Sequence, residues 1–363
     1  MRVKLGDVCE RGSSNLKQSD VVELKGDYPI YGASGYIGNV DFYHQENSYV
    51  AVVKDGAGIG RTTLLPAKSS VIGTMQYLLP KANILPEYLY YVVSYMHLEK
   101  YFTGATIPHI YFKDYKNEEF NLDSIDKQRE IVDVLGKCER VIELRKNELQ
   151  LLDDLIKARF VELFGDVILN DRKWECKQFS DITTSRLGKM LDTKHQTGTC
   201  KYPYLANFNV QWFRFELDNL NEMDFNAKDR EEFCLEDGDL LVCEGGEIGR
   251  CAVWHNQVEN CFFQKALHRV RCNQEIILPD YLAWWFKYNR DNGGFDAIEG
   301  AKATISHLTG AKMKMLDVTV PPIELQEQFV DFIYQVDKSK VAVQKALDET
   351  QLLFDSLMQQ YFG

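Results

Sequence analysis

The sequence predicts an α+β protein in which two small globular domains are joined by two long helices that form an antiparallel coiled coil. Three observations predict this fold. Short motifs occur twice, in the same order, along the 363 residues; the later motifs recur at a constant separation; and the segments with constant separation carry apolar residues at heptad spacing. Such a duplication also predicts that the two halves are related by a pseudo-twofold axis.

The repeat is most regular towards the end of each half. Three motifs recur at a separation of 198: Thr106-Ile107-x-His109 as Thr304-Ile305-x-His307, Ile125-Asp126-x-Gln128 as Ile323-Glu324-x-Gln326, and Leu163-Phe164-Gly165 as Tyr361-Phe362-Gly363. Upstream, the separation drifts from 174 at Tyr28-Pro29 to 189 at Gly56 and 193 at Leu85-Pro86. Loops tolerate changes of length and packed helices do not, so each half has a loop-rich front and a rigid back.

The rigid back of each half is predicted to be one long helix, because its apolar residues are separated by three, four or seven positions. The predicted seam consists of Ile131, Leu135, Ile142, Leu149, Leu152 and Ile156 in the first helix, and of Phe329, Ile333, Val336, Val343, Leu347, Phe354 and Leu357 in the second. Arg145 and Arg159 fill seam positions left between them. About 35 residues at 1.5 Å each give a rod of roughly 50 Å.

Two arrangements of these helices are compatible with the pattern. Each helix could pack on its own domain, or the two seams could pack on each other. We favour the second arrangement, because a pseudo-twofold axis perpendicular to two paired helices makes them antiparallel. The helices would then act as a ruler with one globular domain at each end.

The front of each half is predicted to contain a strand, a glycine-rich turn and a second strand. Tyr49 to Val53 leads into Gly56-Ala57-Gly58-Ile59-Gly60-Arg61, and Asp239 to Cys243 leads into Gly245-Gly246-Glu247-Ile248-Gly249-Arg250. A dinucleotide-binding loop requires a helix after the glycines, and a strand follows here, so a tight hairpin is the favoured interpretation. The aromatic stretches Glu87 to Tyr101 and Asp280 to Tyr288 are predicted to be helices packed on the sheet.

Basic residues in the front of each half are candidates for contact with nucleic acid. Solvated surface is the default interpretation for any single one of them, whereas Arg61 and Arg250 could equally pair with a carboxylate or contact phosphate or a guanine edge. The candidates are Lys54, Arg61, Arg186, Lys189, Lys194, Arg250, Lys265 and Arg269. The repeated His109 and His307 are assigned a packing or capping role near the junction with the long helix in preference to base contact.

Composition limits the class of protein. Hydrophobic residues make up 45% of the chain, which is enough for real cores, and the net charge of −12 argues against a protein that simply coats nucleic acid. The chain lacks an apolar run of eighteen residues and a signal-peptide opening, and its nine cysteines include no Cys-x-x-Cys pair. We therefore predict a cytoplasmic protein with reduced thiols; a zinc site at Cys243, Cys251 and Cys261 is the less favoured alternative.

Motifs for catalysis are missing. The sequence has no Asn-Pro-Pro-Tyr or Asp-Pro-Pro-Phe segment, which binds a flipped adenine in amino-methyltransferases, and no Walker A loop, Gly-x-Ser-x-Gly or His-Glu-x-x-His. We predict no catalytic residues and no metal ligands in this chain.

In duplicate and in this order, the motifs resemble the specificity subunit of type I restriction–modification systems over essentially the whole chain. The matching segments are Gly-Asp-Leu-Leu-Val-x-x-x-Gly-x-Ile-Gly at 238–249, Leu-Pro-x-Tyr-Leu at 85–89 and 278–282, and Pro321-Pro322-Ile323-Glu324-x-Gln326. One departure is that Asn121-Leu122-Asp123-Ser124 stands where the family usually has Pro-Pro. The acidic net charge also fits less well with binding DNA unaided.

The resemblance implies a division into four segments: a target-recognition domain at 1–122, a spacer helix at 123–165, a second recognition domain at 166–320 and a second spacer helix at 321–363. It implies that each domain reads one half of a bipartite duplex DNA target while the helices set the spacing. The implied partners are two modification subunits that methylate adenine N6 with S-adenosylmethionine, and restriction subunits that use ATP and magnesium to translocate and cleave DNA. No cofactor is implied in this chain.

Two alternatives remain open. The chain could serve a related restriction–methylation enzyme whose partner is bifunctional, or it could be a helical scaffold that binds proteins through its two domains. Turnover of S-adenosylmethionine would identify a methylating enzyme, and failure to bind DNA with a partner present would favour the scaffold.

Overall fold

The computed structural model describes residues 1–21, 23–102, 108–191, 198–296 and 307–363. The chain forms two compact units: unit 1 comprises Met1–Glu148 with Ala342–Gly363, and unit 2 comprises Leu149–Val341. The boundaries between units fall inside the two long helices. Each long helix therefore contributes residues to both units, whereas the boundaries predicted from sequence follow the helix ends.

Unit 1 is built from short strands and helices in front of a long helix. Its strands are β1 (Arg2–Lys4), β2 (Cys9–Ser13), β3 (Tyr28–Gly32), β4 (Gly35–Val40), β5 (Tyr49–Val53), β6 (Thr62–Leu65), β7 (Ser70–Val71), β8 (Met75–Pro80) and β9 (Glu119–Asn121). Its helices are α1 (Leu5–Val8), α2 (Gln18–Val21), α3 (Pro86–Tyr95), α4 (Phe112–Tyr115) and the beginning of α5 (Ile125–Phe164).

The strands of unit 1 form a four-stranded sheet in the order β2-β8-β5-β6, a three-stranded sheet β4-β3-β7 and a ribbon β1-β9. Strand β5 is buried on both faces. Val50 and Val52 pack in the core that includes α3, and Tyr49, Ala51 and Val53 pack in the core on the opposite face. This alternation explains why β5 is a nearly continuous apolar run.

Unit 2 repeats this arrangement. Its strands are β10 (Glu175–Gln178), β11 (Thr183–Leu187), β12 (Lys201–Leu205), β13 (Val210–Gln211), β14 (Arg214–Phe215), β15 (Asn221–Asp224), β16 (Leu240–Cys243), β17 (Cys251–Val253), β18 (Phe262–Phe263), β19 (Leu267–Cys272) and β20 (Asp317–Val320). Its helices are α6 (Phe179–Ile182), α7 (Ala227–Phe233), α8 (Pro279–Asp291), α9 (Gly310–Lys314) and the beginning of α10 (Ile323–Phe362).

The sheets of unit 2 have the same strand orders as those of unit 1, namely β11-β19-β16-β17, β15-β12-β18 and β10-β20. The internal repeat is therefore a repeat of topology. The β13-β14 hairpin is an addition: the turn at 33–34 that joins β3 to β4 in unit 1 is replaced by the segment 206–220 between β12 and β15. Much of the drift in the sequence separation arises here.

One predicted helix is shorter than the sequence suggested. The stretch from Glu87 to Tyr101 was expected to be one helix, but α3 ends at Tyr95. His97 has a left-handed backbone with φ of 50°, and a 3-10 turn at Leu98–Tyr101 follows it. A residue in this conformation cannot continue an α-helix. The helix therefore ends before the apolar pattern that predicted it does.

The long helices start in the same way despite their different sequences. Fully buried Gln128 accepts a bond from the backbone N–H of Leu85 at 2.9 Å and donates to the carbonyls of Asn83 and Asp123 at 3.0 Å. This glutamine clamp ties the start of α5 to the start of α3. Asp123 stands where unit 2 has Pro321, and the bond uses its backbone carbonyl, which any residue would supply.

Gln326 forms the same clamp in unit 2. It accepts from the backbone N–H of Leu278 at 2.8 Å and donates to the carbonyls of Ile276 at 3.0 Å and Pro321 at 2.9 Å. Both clamps join a long helix to the short helix of its own unit. They explain why glutamine occurs in both copies of the motif.

Within unit 2 the two long helices run antiparallel. Asp153 of α5 forms an ion pair with Lys340 of α10 at 2.6 Å, and the Arg159 guanidinium lies 5.7 Å from the ring centre of Phe332. Further along α5, Phe160 packs against Phe329 with 5.4 Å between ring centres. As the number rises along α5 it falls along α10, which is the predicted antiparallel order.

Unit 1 contains the other ends of both helices, in the same order. Ile131 and Leu135 near the start of α5 share a buried core with Met358 near the end of α10. Glu130 is the main cause of a raised pKa at Lys127 near the start of α5, and Tyr361 near the end of α10 lies close enough to add to it. The seams therefore pair within each unit.

Every predicted seam residue is buried or half-buried, but the buried face is wider than the seam. Phe160, Phe164 and Met358 are buried although the heptad pattern omitted them. Phe160 and Phe164 pack against Tyr281 of α8, at 5.9 and 4.8 Å between ring centres. Each long helix thus packs both on its partner and on the short helix of a unit, so the two arrangements posed from sequence coexist.

One buried histidine gives unit 2 a pH-dependent stability. His268 is 3% exposed, its Nε2 has no hydrogen-bond partner among the described residues, and burial lowers its pKa against the opposing effect of Glu244. Folding favours the neutral form, so this stabilisation is fully present above about pH 6.5, the ordinary histidine value, and is lost as the pH falls from there through the lower pKa of the folded protein.

We expect the urea concentration at the unfolding midpoint of unit 2 to decrease when the pH is lowered from 7 to 5.5. His268→Gln should make this decrease smaller. Glutamine is chosen because Gln76 occupies the corresponding position on β8. Urea titrations of both proteins across this pH range test the prediction. An equally steep decline in the variant would show that another group is responsible.

Within the described residues, no helix has both the length and the apolar character needed to cross a membrane.

Candidate nucleic-acid interface

The glycine-rich segment of unit 1 is a strand–turn–strand hairpin, as the sequence predicted. Strand β5 pairs antiparallel with β6, and Gly56, Gly58 and Gly60 in the turn have φ between 82° and 84°. Only glycine adopts this conformation readily, which explains the spacing of the three glycines. Because β6 follows the turn, the backbone N–H groups are not arranged at a helix N-terminus to hold a phosphate.

Unit 2 has the equivalent hairpin with a shorter turn. Strand β16 pairs antiparallel with β17, and Gly246 and Gly249 have φ of 85° and 75°. The loss of the middle glycine to Glu247 is tolerated, because this turn needs fewer left-handed residues. Both units therefore have a glycine turn at the same end of the equivalent strand, β5 in unit 1 and β16 in unit 2.

The repeated histidine packs against the glycine hairpin in both units. His109 Nδ1 bonds the carboxylate of Asp55, and Gly56 N–H donates to the carbonyl of Pro108 at 3.0 Å. In unit 2 the ring of His307 lies so close to Gly245 that an added Cβ would be 3.0 Å away. The packing role was predicted, but its place is the hairpin base instead of the long-helix junction.

The arginine that closes each hairpin also has an internal partner. Arg61 donates to the carbonyl of Ala33 at 3.1 Å. Arg250 donates to the carbonyl and side-chain oxygens of Asn207, at 3.1 and 2.7 Å. In both units the guanidinium thus holds the turn that follows the equivalent strand, β3 or β12. Of the two roles left open by the sequence, this geometry supports the structural one.

An exposed basic and aromatic cluster lies at the base of the hairpin in unit 1. The hairpin-base cluster consists of Arg11, Lys54, His109, Tyr111 and Lys113. The rings of His109 and Tyr111 are 4.1 Å apart, and Lys113 Nζ lies 5.1 Å from the centre of the Tyr111 ring. Tyr111 is 48% exposed. A flat exposed ring beside cations is suited to contact with nucleic acid.

The positive charge of this cluster rests mainly on Arg11 and Lys113, because an acidic neighbour balances Lys54. Lys54 Nζ is paired with Asp55 at 2.6 Å, and burial together with the charge of Arg11 lowers the pKa of Lys54. Burial and the charge of Lys54 also lower the pKa of His109. Asp55 is therefore shared between Lys54 and His109, while Arg11 and Lys113 are exposed at the surface.

Sequence reasoning missed Arg11 and Tyr111. Arg11 lies on β2, far from the hairpin in sequence, and no local pattern connects the two. The alternation of His109, Tyr111 and Lys113 was a possible signal, since every second residue of an extended segment points to one side.

In unit 2 two of the predicted basic residues, Arg186 and Lys189, are paired with carboxylates. Arg186 forms an ion pair with Glu232, and Lys189 pairs with Asp229 at 2.6 Å. These residues line a groove of about 720 Å³ that contains both signs of charge. The structure brings Arg186 and Lys189 together as expected, but in a neutralised setting.

The remaining candidates in unit 2 differ in exposure. Arg269 donates to the carbonyl of Cys234 at 2.9 Å, and burial, followed by the charge of Arg271, lowers its pKa. Lys265 is exposed in the turn before β19. Lys194 lies outside the described residues, as do Thr106, Ile107, Thr304 and Ile305 of the repeated motif.

The cysteines considered as zinc ligands are buried thiols. Cys243, Cys251 and Cys261 are each at most 1% exposed. Burial raises the pKa of Cys261 to about 12 and that of Cys251 well above its usual value. In the described part of the chain no three His, Cys, Asp or Glu side chains are grouped as metal ligands.

Comparison with known proteins identifies a family. A family described as "Type I restriction modification DNA specificity domain" matches residues 1–153 and 171–350. The putative type I restriction enzyme specificity subunit S.HindORF215P of Haemophilus influenzae is 20% identical over 340 residues, covering 91% of this chain and 85% of the relative. The putative type I restriction enzyme MjaX specificity subunit of Methanocaldococcus jannaschii is 21% identical over 193 residues, covering 52% and 45%.

Solved structures share the fold. The S subunit of a type I restriction–modification system from M. genitalium matches with a TM-score of 0.63 and 14% identity, over all of this chain and 96% of that chain. A chain from a study of complex assembly and conformational transition of the type I R-M system matches with a TM-score of 0.53 and 12% identity, over 99% and 97%. At these identities the likeness concerns the fold alone.

Proposed function

We propose, because this chain belongs to the family of the type I restriction modification DNA specificity domain, that it is the DNA-recognition subunit of a type I restriction–modification complex. Each unit reads one half of a bipartite target. The single observation that carries this proposal is the duplication of one topology on two paired helices of equal length, since two similar half-sites call for two similar readers.

The two long helices are proposed to set the gap between the half-sites. Each is 40 residues long, and each contributes residues to both units. Their pairing residues interlock in both units, so a change of length in one helix must be matched in the other. The heptad seam allows length to change only in steps that keep the buried face in phase.

The proposed partners supply everything this chain lacks. Two methyltransferase subunits would bring S-adenosylmethionine and adenine N6 methylation, and restriction subunits would bring ATP, magnesium and DNA cleavage. The net charge of −12 supports this division, because partner subunits can add phosphate contacts to the few that an acidic chain makes. This chain would provide sequence recognition and no chemistry.

The proposal is tested by selecting duplexes from a randomised library with the chain alone and with its methyltransferase subunit. We expect one two-part motif, enriched only or much more strongly in the complex. Enrichment of a contiguous motif would contradict two separate readers. Methyl transfer by the purified chain alone would contradict a non-catalytic role.

The hairpin-base cluster gives a residue-level prediction. Arg11→Ala and Lys113→Ala each remove one exposed cation, so each should weaken duplex binding by the complex and lower the slope of log affinity against log salt concentration by about 1. Lys345→Ala, which removes an exposed cation from α10, is the matched control and should change neither. If both cluster variants keep the wild-type salt slope, the hairpin-base cluster does not contact DNA.

A further inference from the structure

Strand β6 is the free edge of the four-stranded sheet in unit 1. Among the described residues it pairs with β5 alone, and Val53 N–H donates to the carbonyl of Arg61 at 2.9 Å. In an antiparallel ladder, alternate residues bond inward, so the backbone groups of Thr62 and Leu64 point away from β5. An edge with unpaired backbone groups is a template for a further strand.

The corresponding edge of unit 2 is covered by the chain itself. The N–H of Phe213, in the β13-β14 hairpin, donates to the carbonyl of Cys251 at 3.0 Å. The Phe213 ring stacks on Trp284 of α8, with 4.4 Å between ring centres and 16° between planes. Cys251 holds the place in β17 that Thr62 holds in β6, because each follows the arginine that closes its hairpin. The segment that provides this cover is the one that unit 1 replaces with a two-residue turn.

The uncovered edge in unit 1 borders a groove of about 710 Å³. Strand β6, helix α3 and helix α5 form its walls, and Thr62, Leu64, Tyr90, Val132 and Gly136 are among its lining residues. Tyr90 packs against Tyr91 at 5.0 Å between ring centres. Unit 2 has Ala283 where unit 1 has Tyr90. Each unit has one ring beside the aromatic residue that follows this position: Tyr90 beside Tyr91, and Phe213 on Trp284. What unit 1 lacks is the backbone of the covering strand.

The charge of the groove lining limits the class of ligand that can bind there. The groove is lined by Glu87, Asp133 and Glu139 against Arg129 and Arg140, so carboxylates outnumber cations. Such a surface disfavours a phosphate backbone. It favours an extended peptide whose basic side chain follows its apolar contact residue, as Arg214 follows Phe213 in unit 2.

We propose that this groove in unit 1 is a docking site where an extended segment of a partner protein adds a strand to the free edge of β6. The segment carries a small apolar side chain against Tyr90 and a basic side chain towards the acidic lining. Strand addition obtains affinity from main-chain hydrogen bonds and specificity from alternate side chains. This site does not depend on the DNA-recognition function, and DNA binding can be measured separately on the same protein.

The probes are a fluorescent peptide with the sequence of residues 207–217 and the same peptide with Phe213→Ala. Both are titrated by anisotropy into the full chain. We expect the wild-type chain to favour the alanine peptide, because Tyr90 already fills the ring site. Tyr90→Ala, which copies unit 2, should reverse this preference and bind the Phe213 peptide at least about fivefold more tightly than the wild type does. Absence of binding by either peptide, or an unchanged preference in Tyr90→Ala, would overturn the proposal.

Gly136 allows the location to be tested without loss of folding. An added Cβ there meets only the Tyr91 hydroxyl, at 3.7 Å, and replacing a helical glycine is expected to raise the melting temperature. Gly136→Trp should fill the groove and weaken peptide binding at least tenfold, while Gly136→Ala and the exposed control Glu143→Trp should retain it. Equal binding by Gly136→Trp would place the peptide elsewhere. A self-associated wild-type chain that Gly136→Trp converts to a monomer would mean that a second copy, and not a partner protein, occupies the groove.

Discussion

Removing one heptad from each long helix shortens the preferred gap between the two half-sites by about three base pairs. Seven residues at 1.5 Å span about 10 Å, and each base pair along the duplex spans 3.4 Å. The residues to remove are 142–148 of α5 and 341–347 of α10, which lie opposite each other in the antiparallel order. Because whole heptads are deleted, the seams stay in phase and the chain should fold.

The measurement is a competition among duplexes that carry the same half-sites with gaps of different length. Three base pairs also turn the half-sites by about 100° around the duplex axis, since a turn takes about 10 base pairs. The shortened protein should therefore bind its best duplex less tightly than wild type binds its own. A same-length control with Glu143→Ala and Lys146→Ala should keep the wild-type gap. Retention of that gap by the shortened protein would refute the role of the helices.

The second large effect is expected at the glutamine clamps. Gln128→Leu leaves one backbone N–H and two carbonyls without their partner at a fully buried site. Each buried unsatisfied group costs about 1–3 kcal/mol, so the free energy of unfolding of unit 1 should fall by roughly 3–5 kcal/mol. Gln326→Leu should have a similar effect on unit 2, because it breaks the equivalent bonds.

Urea unfolding of full-length variants measures these losses, with fluorescence and circular dichroism followed together because two units can unfold separately. Gln150→Leu is the matched control: Gln150 is exposed on α5 and bonds only Asp154 in its vicinity. Its change should stay within about 0.5 kcal/mol. If the clamp variants unfold at the same urea concentration as the wild type, the repeated glutamine does not stabilise the fold and serves another purpose.

The sequence predicted the long helices well because their pattern is local. Both span 40 residues at the predicted positions, and Gly165 follows the first with a left-handed backbone, at φ of 71°. Phe160 and Phe164 escaped the prediction because a heptad describes one contact face. These side chains face α8, whose position in space the sequence pattern did not provide.

The site was less accessible to sequence reasoning for the same physical reason. The hairpins were predicted from glycines that lie side by side in the chain. The hairpin-base cluster instead joins Arg11 with Lys113 across about a hundred residues, through strand pairings that have no local signature. Conversely, Lys189 and Arg186 looked like binding residues until the fold placed Asp229 and Glu232 beside them.

The most direct test of two recognition units on one chain is the pattern of adenine methylation in a host that carries this chain with the proposed methyltransferase subunit. Sequencing the methylated genome should show one motif in two short parts, separated by a fixed number of unspecified bases, and the motif should vanish when the chain is deleted. A motif without an internal gap, or one that persists after the deletion, would contradict the account.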